Sequence, residues 1–150
     1  MRAPYQILVF PFFKQNNEIL FCLFKREDLN VWQGIAGGGE DGESPIITAK
    51  REASEEAGIP NESKIFKLDS ISSIPVVNIS GFIWGPNTLV IPEYSFGAEL
   101  ISKEISISRE HTIYEWVNYE QALERLNWDS NKTALWELNH RITNNIIGIS

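Results

Sequence analysis

Cysteine is nearly missing from this chain: Cys22 is the only one in 150 residues. One thiol excludes an intrachain disulfide, and its place in an apolar run reads as a buried core position in a reducing compartment. Basic residues are scarce too. There are 13 Lys and Arg against 20 Asp and Glu, a net charge of −7, with a pI of about 4.9. Such a protein is a poor generic nucleic-acid binder. No apolar run approaches the roughly 20 residues of a membrane helix. The opening Met1-Arg2-Ala3-Pro4-Tyr5 leads into an apolar stretch broken by Gln6, Pro11 and Lys14, with no small-residue cleavage site. It reads as a strand, not a signal peptide. A soluble cytoplasmic protein is the expectation. Repeats, linkers and low-complexity segments are also lacking, so one domain over residues 1–150 is expected.

Strand and helix signals alternate along the chain. Tyr5 to Phe13 and Ile19 to Lys25 are rich in aromatic and β-branched residues, and Asn16-Asn17 between them marks a hairpin turn. Val31 to Ala36 reads as a short strand. Ile65 to Val77 holds one or more strands. Thr88 to Ile101 follows the Gly85-Pro86-Asn87 loop as a strand with a bend at Pro92, and Thr112 to Asn118 is another. Helices are expected over Tyr119 to Leu126 and over Ser130 to Ile146, the latter capped by Ser130. Strands with helices on both sides define an α/β sandwich.

The densest chemistry lies between Gly37 and Ile59. Gly37 is followed after five residues by Glu43. Seven residues later comes Arg51-Glu52-Ala53-Ser54-Glu55-Glu56-Ala57-Gly58-Ile59. Ser44 and Pro45 can open a helix, and Gly58 can stop it. At about 100° per residue, Glu52, Glu55 and Glu56 share one face, and Ile46, Ala53 and Ala57 face a core. The acidic face breaks local rules. Glu52 and Glu56 form a like-charge i, i+4 pair, and Glu55 and Glu56 sit at the negative end of the helix dipole. A local violation without a folding gain marks a functional site. Carboxylates suit hard divalent cations such as Mg²⁺ or Mn²⁺, which can neutralise a pyrophosphate and activate water. The run Gly37-Gly38-Gly39 allows the backbone close to a ligand.

This spacing resembles the Nudix box, matched at Gly37, Glu43, Arg51, Glu52, Glu55, Glu56 and Gly58. The resemblance implies the Nudix fold, a mixed β-sheet between α-helices, and a divalent metal used to cleave a nucleoside diphosphate linked to another group. It implies an ion pair from Arg51 to Glu43, metal ligation by Glu52 and Glu56, and for Glu55 either ligation or the role of base. Trp32-Gln33-Gly34-Ile35, Ser108-Arg109-Glu110-His111, Tyr114-Glu115-Trp116 and Asn131-Lys132-Thr133-Ala134 resemble dihydroneopterin triphosphate pyrophosphatases. On that likeness Glu110 is a further metal ligand, His111 a loop or packing residue, and Lys25 and, more weakly, Arg2 substrate contacts. Trp32 and Trp84 are candidates to stack on a base or pterin ring, or to pack in the core. Arg26, on the other face of its strand from Lys25, is open between phosphate contact and solvated edge charge. The chain departs from the usual pattern at Ala36, where many relatives carry Pro, and at Ala53, where a bulky aliphatic is usual.

The implied activity is hydrolysis of a nucleoside or pterin triphosphate to monophosphate and pyrophosphate. The alternatives are ADP-ribose, nucleoside diphosphate sugars or dinucleoside polyphosphates as substrates, and a nucleotide-binding module without turnover. Such a module would be expected to lose box carboxylates, and all are present. RNA decapping is disfavoured because no basic stripe exists. No membrane or nucleic-acid partner is expected. The sequence leaves the oligomeric state open, with a homodimer as one candidate because dimers are common among homo-oligomers.

Overall fold

The computed structural model describes residues 1–107 and 111–147, with the backbone alone at His111 and Thr112. Its strands are β1 (Arg2–Gln15), β2 (Glu18–Arg26), β3 (Val31–Gln33), β4 (Ile35–Glu40), β5 (Lys64–Pro75), β6 (Val90–Glu99) and β7 (His111–Val117). Its helices are α1 (Pro45–Ala57), α2 (Tyr119–Arg125) and α3 (Asp129–Thr143), with a 3₁₀ turn over Val76–Asn78. Among the described residues no helix is long and apolar enough to cross a membrane.

The sheet is mixed. β1 and β6 run parallel, and every other pairing is antiparallel. The β1–β2 hairpin splays. Near its turn β1 pairs with β2 from Phe12–Phe21 to Gln15–Glu18. Further on β1 takes β4 instead, from Arg2–Glu40 to Val9–Ile35. β2 meanwhile pairs with β3 and β7. The expected strand at 31–36 is therefore two, broken at Gly34 where the chain crosses from one half of the sheet to the other. That crossing is tied to α3: Gly34 N–H donates to Asn131 Oδ1 at 2.9 Å, and Trp128 Nε1 donates to Gln33 Oε1 at 3.2 Å.

Ile7 to Phe12 are buried without a break, as befits a strand covered on both faces. Leu8, Phe10 and Phe12 pack with Leu135, Leu138 and Ile142 of α3. Ile7 and Val9 pack with Ala49, Ala53 and Ala57 of α1. Ala53, the departure from the bulky residue, is fully buried. Cys22 lies in the same layer as α1, and burial pushes its thiol well above the ordinary range.

Two expectations about caps and bends need correction. Trp128, not Ser130, stands at the start of α3, which begins at Asp129 and has no side-chain cap. Pro92 makes no break in β6, because it precedes the first β1 partner pair, Gln6–Glu93. The irregularity falls on β5, between Lys67 and Ile71. There Asp69 N–H and Ser70 N–H donate to Glu137 of α3 at 2.6 and 2.8 Å.

Candidate active site

Helix α1 starts at Pro45 without a side-chain bond from Ser44. It ends as expected at Gly58, which has φ of 67°. Gly58 N–H donates to Ser54 O at 3.0 Å and Ile59 N–H to Ala53 O at 3.2 Å, closing the last turn. No basic residue occupies that turn. The carboxylate repulsion is met instead by Arg51. Its Nε and Nη2 grip the Glu43 carboxylate at 2.7 and 3.0 Å, and Nη2 also donates to Gly38 O at 3.0 Å. Arg51 also reaches along its own helix. Nη1 lies 3.0 Å from Glu52 Oε1 and 3.2 Å from Glu55 Oε2.

Glu43 is the anchor of this loop. It accepts Glu40 N–H at 2.9 Å and the Thr48 hydroxyl at 2.8 Å besides Arg51. Chiefly through the Arg51 bond, its carboxyl is held down at about 2. The loop, strand β4 and helix α1 are thus locked together by one guanidinium.

A cavity of about 1040 Å³ opens beside this lock. Glu52 and Glu56 line it from α1, Ala36 to Gly38 from β4, and Arg2 and Gln6 from β1. Glu93 of β6, Ser72 to Pro75 of β5, and Trp128 to Asn131 at the start of α3 complete the walls, with Arg26, Asp28 and Leu29 at the rim. The glycines act by absence. A Cβ at Gly37 would overlap the Glu52 carboxyl group, and one at Gly38 would overlap the Arg2 guanidinium. Glu52 and Arg2 therefore close on β4 from its two faces over bare backbone, near enough for Glu52 to pull on the Arg2 pKa.

The candidates from the sequence fall in different places. Glu52 and Glu56 share the cavity, Glu56 being 6% exposed. Glu55 does not share it. Its side chain is 59% exposed, and it shares Arg51 Nη1 with Glu52, at 3.2 and 3.0 Å. Among the described residues no three acidic, His or Cys side chains close a metal cage by themselves. Glu110 lies outside the described residues, as do Ser108 and Arg109 and the side chain of His111. The described chain does lead toward the helix end, since Ser106 N–H donates to Ala57 O at 3.0 Å.

Arg2 lines the cavity. Burial lowers its pKa against the pull of Glu52 and Glu40, and its buried Nε has no hydrogen-bond partner among the described residues. Lys25 does not line the cavity; its register partners are Trp32 and Ile113. Trp32 packs against the α3-side core beneath Arg125, 5.7 Å from its ring. Trp84 supports Arg2, donating to Arg2 O at 2.9 Å with the guanidinium 5.8 Å above its ring. The aromatic residue that does reach the cavity is Trp128, 41% exposed. Neither it nor Glu93 and Gln6 was singled out from the sequence. The signal for Glu93 was a charged residue in register with Ile91 and Ser95 on the inward side of β6.

A mixed sheet between helices, with an acidic helix following a glycine strand, is the architecture of the Nudix fold. The NUDIX domain model matches residues 4–136, and the chain belongs to the Nudix hydrolases, enzymes that act on phosphoric anhydride bonds. It is 45% identical to a Listeria monocytogenes protein described as a NUDIX hydrolase, covering 95% of this chain and 97% of that one, with a TM-score of 0.88. It is 26% identical over 132 residues to the dihydroneopterin triphosphate diphosphatase of Haemophilus influenzae, covering 86% of this chain and 83% of that protein. The fold is also that of the E. coli dihydroneopterin triphosphate pyrophosphohydrolase, at 23% identity, TM-score 0.74, and coverage of 92% and 97%.

Proposed function

We propose that this protein is a cytoplasmic, metal-dependent pyrophosphohydrolase that cleaves a nucleoside or pterin triphosphate to the monophosphate and pyrophosphate. The observation that carries the reading is the pairing of Glu52 and Glu56 with Arg2 around the bare backbone of Gly37 and Gly38 in one cavity. The carboxylate pair fits a hard divalent cation, Mg²⁺ or Mn²⁺, which when bound supplies charge neutralisation and an activated water. Glu52 and Glu56 would hold it, with Glu110 as the ligand from a second segment. Arg2 meets phosphate oxygens through its buried Nε and spreads the developing negative charge. Arg51 takes no part in proton transfer; it fixes the angle between loop, strand and helix. The base is assigned to Glu52 or Glu56, which line the cavity, in preference to Glu55, which does not.

The test is a panel of dihydroneopterin triphosphate, all (d)NTPs, ADP-ribose, a nucleoside diphosphate sugar and diadenosine polyphosphates with Mg²⁺, products identified. The expected outcome is fastest turnover of a triphosphate, with pyrophosphate released. Orthophosphate as the only inorganic product, or turnover confined to ADP-ribose, sugar nucleotides or dinucleoside polyphosphates, rejects the reading.

A further inference from the structure

One buried carboxyl in the cavity is not used by phosphate chemistry. Glu93 is 3% exposed on β6. Strand register sets Gly38, Gln6, Glu93 and Ser72 side by side across β4, β1, β6 and β5. Their side-chain directions therefore share one face of the sheet, which is the floor of the cavity. Gln6 Nε2 donates to Glu93 Oε2 at 2.6 Å. Glu93 Oε1 is buried and has no hydrogen-bond partner among the described residues. Burial raises the carboxyl's pKa, opposed by Gln6 and Ser130. A buried acceptor left unmet is costly to the fold. A fold that keeps this cost on a cavity wall has a use for the free oxygen when a ligand is present.

We propose that Glu93 reads the ring of the substrate, accepting N–H bonds from the 2-amino group and neighbouring ring N–H of a 2-amino-4-oxo heterocycle, the edge shared by guanine and pterins. The assignment rests on the triphosphate reading above. Glu93 is two strands from Gly38, roughly 10 Å at the usual strand spacing. That separation leaves room for a sugar-sized spacer between a reacting phosphate at the acidic helix and a ring edge at Glu93. Trp128 offers a flat face on the same cavity, its indole held by Gln33. The chemistry is selective because two ligand N–H donors hold the carboxyl in its ionised form, which only accepts. Adenine and cytosine set a ring-nitrogen acceptor beside their amino group, and uracil and thymine flank one N–H with carbonyl oxygens. Each would place an acceptor against the carboxylate. A ring with two adjacent donors does not.

Binding tests this without reference to turnover. Two matched pairs differ only at position 2: GMP against IMP, and pterin against its 2-oxo counterpart lumazine. Calorimetry on the wild-type protein is expected to show at least one 2-amino compound binding roughly 10-fold or more tightly than its partner. Glu93→Gln, which turns an N–H toward the ligand's donors, brings that ratio to within about twofold, while the ligand-free melting temperature holds or rises. If that variant does not fold, Gln6→Leu, which removes the bond orienting the carboxyl, is expected to reduce the same ratio. No discrimination in either wild-type pair, or discrimination undiminished in a folded variant, overturns the proposal. Failure to hydrolyse triphosphates with the discrimination intact sinks the triphosphate reading and leaves Glu93 as the ring-reading residue.

Discussion

Arg51 illustrates how a charged residue can be structural inside a candidate active site. Its bidentate hold on Glu43 is partly shielded, with Glu43 a sixth exposed, so it is worth more than a surface pair. Because the folded pKa of Glu43 is depressed to about 2 from 4.5, its contribution is present above pH 4.5 and fades as pH falls toward 2. Glu43→Gln is expected to lower stability at pH 7 by about 1–3 kcal/mol, and by much less near pH 2. Denaturant unfolding at both pH values checks this; an equal loss at both would mean that the charge of Glu43 is irrelevant. The carboxylates it organises differ among themselves. Glu56→Gln, within the cavity, is expected to cut kcat by 100-fold or more, on the scale of a lost transition-state contact, about 2.7 kcal/mol. Glu55→Gln, on the solvent side of Arg51, is expected to cost at most about tenfold. Equal losses would return Glu55 to the catalytic set.

At the level of elements, the segments readable in advance are those with local punctuation. α1 could be placed because Pro45 starts it and Gly58 ends it, and the β1–β2 hairpin because Asn16 and Asn17 turn it. Features set by distant partners were not readable. The break at Gly34 exists because the splayed hairpin needs a crossing, and Asn131, far along the chain, secures it. Trp32 read equally well as a ring-stacking or a core residue, and only the seating of Arg125 over it distinguishes these. Glu93 looked like one more acidic residue because its burial depends on β1 and β5 lying on either side. The β5 irregularity is of the same kind and yields a stability prediction. Burial would raise the Glu137 carboxyl, but its bonds from Asp69, Ser70 and Arg141 outweigh burial and leave it below the usual range. Glu137→Ala strands two backbone N–H groups, one on an exposed stretch and one partly covered. A loss of about 1–3 kcal/mol is expected, with kcat preserved. A melting temperature unchanged from wild type would show that water replaces the carboxylate at no cost.

For the whole molecule, net charge, fold and chemistry meet in the metal. A Nudix hydrolase of charge −7 that gathers carboxylates beside its cavity would repel the phosphate-rich substrate proposed above unless cations intervene. EDTA is therefore expected to abolish turnover, and Mg²⁺ or Mn²⁺ to restore it. Folding does not require the ion, because two cores flank the sheet and Arg51 already offsets Glu52 and Glu55. Metal binding should instead appear as added stability. An ion at about 100 times its dissociation constant stabilises by about 2.7 kcal/mol. At roughly 2–4 °C per kcal/mol for a chain of this size, the melting temperature should rise by about 5–10 °C. Glu56→Gln should shrink this increment while leaving the chelated protein as stable as wild type, since it also removes one partner of a like-charge i, i+4 pair. The two readouts separate the causes of failure. Lost activity with an intact metal-dependent shift would make Glu56 part of the chemistry but not a ligand. A full shift and full activity in the variant would remove it from the site. Glu110→Ala extends the test to the second segment: if a ligand from beyond Ile107 completes the site, this change should weaken apparent metal affinity and lower kcat by roughly tenfold or more, with chelated stability unchanged. A Glu110→Ala protein that binds metal and turns over substrate like wild type would confine the metal to ligands on α1 and the backbone of β4.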